Sequence, residues 1–244
     1  PTSWLVEGLI PVGGVVLIAG GPGIGKTWLI LSVALAIALG KTWLDRFTCL
    51  KGRALIVLEE FGKVDVLLNN AGIVRAQGSI PIWEISDDDW RVGIDTNLTG
   101  AFYCSRAVAK HMVDRQHGKI INVSSGFGLR GGRDMYMYAC GKGGILQLNR
   151  TLAISLGRYG VTSNCIVPGF IPTQGTAESG ENLPRGEFIP MGRVGDPVEM
   201  GPIAVFLASS ASDYMNGEMF VIDGGGLAGG YAPTGYAPQI PLEV

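Results

Sequence analysis

Tyr138 and Lys142 stand four residues apart in Tyr138-Ala139-Cys140-Gly141-Lys142, inside a stretch whose apolar spacing predicts one long helix from Tyr136 to Tyr159. Residues four apart share a helix face. A free phenol titrates near 10, and an ammonium beside it favours the phenolate, so the pair could exchange a proton near neutrality. Taken alone the spacing is a weak signal, because it also arises by chance on exposed helices. A second constellation is more specific. Gly20-Gly21-Pro22-Gly23-Ile24-Gly25-Lys26-Thr27 satisfies G-x-x-x-x-G-K-S/T and follows a β-branched run, Gly13 to Ala19. Backbone N–H groups at such a turn cradle phosphate oxygens, Lys26 would neutralise the outer phosphates, and Thr27 would hold Mg2+ of a bound Mg-ATP. The same glycines, Gly20, Gly21, Gly23 and Gly25 with Ile24, suit the diphosphate of a dinucleotide for the same physical reason. The acid that reads a ribose ~20 residues further on would be Asp45 or Glu59. His111 and His117 have no second ligand at metal spacing, so packing or surface roles are expected and no metal site.

The elements that must carry these residues follow from periodicity. Gly13 to Ala19, a glycine turn and the helical density of Lys26 to Leu39 give strand, turn, helix. Ala54 to Leu58 and Val64 to Leu68 read as buried strands, Asp87 to Val113 as helix, and Gly118 to Val123 as strand. Then come the Tyr136 to Tyr159 helix, a Val161 to Ile166 strand, a Val198 to Leu207 helix and a last strand, Met219 to Ile222. The alternation predicts a parallel sheet with helices on both faces. One step resists it. Only three residues lie between Glu60 and Val64, whereas parallel neighbours need a crossover of a dozen or more. Three solutions stay open: Ala54 to Leu58 leaves the usual order, the chain is a recombinant of two nucleotide-binding folds, or residues are lost at the join.

From Phe61 to Leu227 the chain resembles the short-chain dehydrogenases/reductases through several motifs in order. Asn69-Asn70-Ala71-Gly72 matches a strand end, Asn97 an active-site asparagine, Gly118 to Ser125 the strand that delivers a serine, and Tyr138 to Lys142 the Y-x-x-x-K pair. Asn164-Cys165-Ile166-Val167-Pro168-Gly169-Phe170-Ile171-Pro172-Thr173 resembles a nicotinamide-facing segment, and Gln174 to Met191 stands where the family keeps a substrate-covering lid. The resemblance implies a Rossmann-like doubly wound α/β sheet in three αβα layers, its N-terminal half shortened or rearranged. It implies an NAD- or NADP-dependent interconversion of carbonyl and alcohol. Tyr138 would be the general acid or base and Ser125, rather than Ser124, would hold the substrate oxygen. Lys142 would lower the tyrosine pKa and bind the nicotinamide ribose, and Asn97 would hold a relay water. Asn70, Ala71, Gly72, Pro168, Gly169, Ile171 and Thr173 would border the cofactor, alongside Tyr138, Lys142 and the glycine turn. A homodimer or homotetramer is implied as well. The first sixty residues resemble RecA-like P-loop ATPases, which gives Lys26, Thr27 and Glu59 as an alternative ATP site, Glu59 or Glu60 activating water.

Composition bounds these readings. The 244 residues carry a net charge of -2, with 47% apolar residues and 38 glycines. That balance suits a compact α/β enzyme and gives no basic stripe for nucleic acid. Trp28 to Leu39 is far shorter than the ~20 residues of a membrane-spanning helix, so no membrane partner is expected. Cys49, Cys104, Cys140 and Cys165 lack a CxxC pair, which predicts reduced, buried thiols and a cytoplasmic setting. We expect one α/β domain over 1–227, made of a P-loop-like segment (1–60) and a dehydrogenase-like segment (61–227). A Gly/Pro/Tyr-rich tail (228–244) follows it.

Overall fold

The computed structural model describes residues 4–6, 10–11, 55–59, 63–73, 81–172 and 185–229. Strands β1 (Trp4–Val6) and β2 (Ile10–Pro11) form a small antiparallel pair. The main sheet has five strands in the order β3-β4-β5-β6-β7, namely β3 (Leu55–Glu59), β4 (Val64–Asn69), β5 (Gly118–Val123), β6 (Val161–Pro168) and β7 (Met219–Ile222). From β4 to β7 every pairing is parallel. The strand and glycine turn expected over 13–27, the helix to Leu39, and residues 174–184 of the lid lie outside the described residues.

β3 corrects the wholly parallel expectation. It pairs with β4 antiparallel, from Leu55 opposite Asn69 to Glu59 opposite Val64. A link this short closes a hairpin and leaves no room for a crossover, so the first of the three solutions holds: the strand leaves the usual order.

The helices cover both faces. α2 (Gly100–Asp114) and α4 (Tyr136–Leu156) pack on one side, where Val108 and Met112 bury Leu67, Ile120 and Val161. A second cluster sets Ile145 and Leu146 of α4 on Cys165 and Val167. Strand side chains alternate between faces, and Lys119, next to Ile120, accordingly reaches the other side. There it meets Ser212 and Asp213, just beyond α5 (Gly201–Ala208). α1 (Asp87–Ile94) starts at Ser86, whose hydroxyl accepts the Asp89 N–H, and carries Asp87, Asp88 and Asp89 against the positive end of its dipole. The single helix expected from Asp87 to Val113 is divided, because residues Asp95–Thr99 form a π-helical turn between α1 and α2.

Among the described residues no helix is long and apolar enough to cross a membrane, and no cluster of His, Cys, Asp and Glu could hold a metal. Cys104, Cys140 and Cys165 are free thiols; Cys165 is buried, but Cys140 is exposed, against the expectation of burial. His111 packs as expected, accepting the Val64 N–H at 3.0 Å.

Candidate active site

The carboxyl ends of β4, β5 and β6 gather the candidate residues at one edge of the sheet. β5 runs into Ser124 and Ser125, which turn in different directions. The Ser124 hydroxyl donates to the Lys142 carbonyl at 2.7 Å and so ties the strand end to α4. Ser125 caps the short helix α3 (Gly126–Leu129), accepting the Phe127 N–H at 3.2 Å, and its hydroxyl lies near enough to Tyr138 to act on the phenol's pKa. The Ser124 hydroxyl is thus committed to backbone, whereas Ser125 lines the cleft described below.

Tyr138 lies one turn before Lys142 on α4. Burial pushes its pKa up, and the Ser125 hydroxyl pulls it part of the way back. The lowering expected from Lys142 is here supplied by Ser125. Lys142 is 3% exposed, with its ammonium donating to Val123 O at 2.9 Å and Ala71 O at 3.4 Å. Burial lowers its pKa to about 8, against a smaller opposing effect of the Cys165 thiol. The lysine therefore links the end of β5 to the Asn70-Ala71-Gly72 segment after β4. Gly72 leaves room there, since a Cβ would stand 2.9 Å from Lys142 Nζ and 3.2 Å from Asn97 Oδ1 and would press on both side chains.

Asn97 sits in the π-turn and is buried. Its Nδ2 donates to Ile73 O at 3.1 Å and Gly93 O at 2.9 Å, and its Oδ1 accepts the Ile73 N–H at 3.0 Å. Both amide hydrogens are engaged by backbone, so this side chain clamps the segment after Gly72. Single π-turns inserted in helices recur at functional sites.

A cleft opens in front of Ser125, lined by Phe127, Arg130, Pro168, Gly169 and Phe170. Phe127 meets Tyr138 and Phe170 edge-on, at 6.4 and 6.2 Å between ring centres, and Arg130 lies over Phe127 at 5.1 Å. Sequence reasoning passed over these walls, because an aromatic residue two positions after a serine carries no spacing signal. It also passed over a polar chain behind the site. Asn69 donates to Asn122 Oδ1 at 2.9 Å and to Ser105 Oγ at 3.1 Å; Asn122 donates to Asn149 Oδ1 and Ser163 Oγ at 3.2 and 3.3 Å. Five buried polar residues on otherwise apolar strands and helices were the available signal, since such groups persist only when paired.

The structure joins Lys142 to Ala71, Gly72 and Asn97, sets Ser125, Pro168 and Gly169 around one cleft that Tyr138 reaches through Phe127, and places Ile171 in a neighbouring cleft with Arg193 and Glu199. Gly20, Gly21, Gly23, Ile24, Gly25, Lys26, Thr27 and Thr173 lie outside the described residues. Glu59 ends β3 at the opposite edge of the sheet from Asn69, away from this group.

A family profile described as enoyl-(acyl carrier protein) reductase matches residues 54–226, and a profile described as AAA domain matches residues 1–92. A 3-oxoacyl-(acyl-carrier-protein) reductase of Chlamydia pneumoniae is 39% identical over 171 residues, 69% of this chain and 67% of that protein. A 2-dehydro-3-deoxy-D-gluconate 5-dehydrogenase of Escherichia coli is 40% identical over 178 residues, 69% of this chain and 68% of that protein. Among solved structures, a gluconate 5-dehydrogenase from Burkholderia cenocepacia in complex with NADP and tartrate superposes with a TM-score of 0.65 at 35% identity. The superposition covers 69% of this chain and 66% of that one. The chain thus spans about two thirds of the length of the relatives it matches.

Proposed function

The chain belongs to the short-chain dehydrogenase/reductase family, which it matches over residues 54–226, and on that premise we propose that it is an NAD(P)-dependent oxidoreductase interconverting a small-molecule carbonyl and its alcohol. The observation that carries this reading is the half-buried Tyr138 phenol, edge-on to Phe127 beside the cleft at Ser125 and one helical turn before the buried Lys142 ammonium.

In the reducing direction Tyr138 gives its proton to the carbonyl oxygen while Ser125 holds that oxygen by a hydrogen bond. In the oxidising direction Tyr138 takes the proton back. Asn97 keeps Ile73, and with it the Asn70-Ala71-Gly72 segment, in place beneath the site. The residues present fit the nicotinamide end of the cofactor. Lys142, held at the Gly72 approach, would bind the ribose hydroxyls, and the Pro168-Gly169 turn, Ile171 and Thr173 would face the carboxamide and phosphates. When bound, the nicotinamide supplies or accepts the hydride.

A homodimer or homotetramer in the cytoplasm accompanies this reading. In its support, α2 exposes Phe102 and Tyr103, α4 exposes Ile154 and β7 exposes Val221, a set of apolar positions suited to contact between copies.

The test is reduction of a panel of carbonyl compounds with NADPH and NADH. Tyr138→Phe should lower kcat/KM by roughly 10²- to 10⁴-fold, the range for losing a general acid, while leaving the melting temperature within a few degrees. A Tyr138→Phe enzyme as active as the wild type would sink the proposal. A second reading, Mg-ATP binding by residues 20–27, rests on the profile match over residues 1–92 alone. It requires ATP binding that Lys26→Ala abolishes.

A further inference from the structure

β4 has two hydrogen-bonding edges, and both are taken. β5 pairs with one edge in parallel, and β3 pairs with the other in antiparallel register along the whole strand. In an open dinucleotide-binding sheet the pyrophosphate meets a glycine turn that follows a parallel strand at the switch point, where the next helix begins. A parallel strand beside β4 would have to displace β3. Direction decides the rest. Asn70 to Gly72, Ser125 and Pro168-Gly169 all follow carboxyl ends of parallel strands, whereas β3 has its amino end, Leu55, at that edge and its carboxyl end, Glu59, at the other. The turn that follows β3 is the hairpin into Val64, on the side of the sheet away from Tyr138. No glycine turn at the end of a strand next to β4 can therefore face a dinucleotide's pyrophosphate.

The nicotinamide end is built differently. Lys142, Tyr138, Ser125 and the Pro168-Gly169 turn stand on β5, α4 and β6 or directly after them, and β3 pairs with neither of those strands. Resting on the oxidoreductase reading above, we infer that this chain holds its cofactor through the nicotinamide mononucleotide half, and that the adenylate half adds little. The site then treats NADH, NADPH and reduced nicotinamide mononucleotide as near-equal ligands. It also does not distinguish the two dinucleotides, which differ only on the adenosine ribose.

The test is a titration of the full chain with each of the three, read by the fluorescence of the reduced nicotinamide. The expected dissociation constants agree within about tenfold, and Lys26→Ala leaves all three unchanged. Oxidised nicotinamide mononucleotide should displace bound NADPH, and adenosine 2′,5′-bisphosphate should not. Binding of either dinucleotide more than tenfold tighter than that of the mononucleotide overturns the inference, as does displacement by the bisphosphate or weaker dinucleotide binding in Lys26→Ala. Those results leave the oxidoreductase intact and mean that a phosphate-binding segment reaches the pyrophosphate without standing beside β4. Failure of all three ligands to bind is a separate outcome, which removes the oxidoreductase reading and the inference with it.

Discussion

Ser124 and Ser125 differ by one position and by everything they touch. Ser124 fastens β5 to the Lys142 carbonyl, and Ser125 faces the phenol. Because the Ser125 hydroxyl is what pulls the Tyr138 pKa down against burial, Ser125→Ala should leave that pKa higher still. In a pH profile of carbonyl reduction, the alkaline limb of kcat/KM should move to higher pH in this variant, and the plateau should fall. An alkaline limb at the wild-type position would show that Ser125 does not set the proton affinity. Tyr138 and Lys142 were legible from the sequence because a helix imposes its four-residue spacing on side chains. The direction in which Lys142 acts was not legible, since its ammonium is drawn to the carbonyls of Val123 and Ala71, partners that only the folded chain supplies.

At the level of elements, the interrupted helix and the hairpin carry different lessons. A π-turn of five residues, Asp95–Thr99, is too short to alter a periodicity read over eleven or more positions, so Asp87 to Val113 reads as one helix. The turn is held from outside, by Asn97 on Ile73 and by Gly141 of α4 packed against it. A Cβ on Gly141 would stand 2.6 Å from the Asn97 Cβ. Gly141→Ala should thus cost about 1–3 kcal/mol in urea unfolding, the range for overpacking. It should lower kcat by shifting Asn97 and with it the Gly72 approach to Lys142. Unchanged stability would mean that α4 and the π-turn part easily. The direction of β3, by contrast, was present in the sequence: a link of a few residues between two strands means a hairpin. The parallel expectation drawn from the alternation of strands and helices obscured it.

Over the molecule as a whole, charge is sparse, at 16% of residues. Arg193 and Glu199 meet twice, at 2.7 and 2.9 Å, and Glu199 also accepts the Asp196 N–H in a capping box before α5. The Arg193 hydrogen bond first, and then that of Asp196, hold the Glu199 carboxyl down to about 2. A carboxylate with a lowered folded pKa adds stability above its unfolded value, near 4.3, and loses it as the pH falls toward the folded one. Glu199→Gln should melt a few degrees below the wild type at pH 7, with the gap closing between pH 4 and 2; a gap that persists at pH 2 would assign it to packing. The sheet gives one further consequence. β4 carries the buried run Val66, Leu67 and Leu68, and without β3 its backbone ladder would stand open beside them, the kind of edge on which chains stack into insoluble assemblies. The short antiparallel strand is therefore a guard on solubility, and a protease cut between β3 and β4 would release the sticky side of an otherwise intact fold.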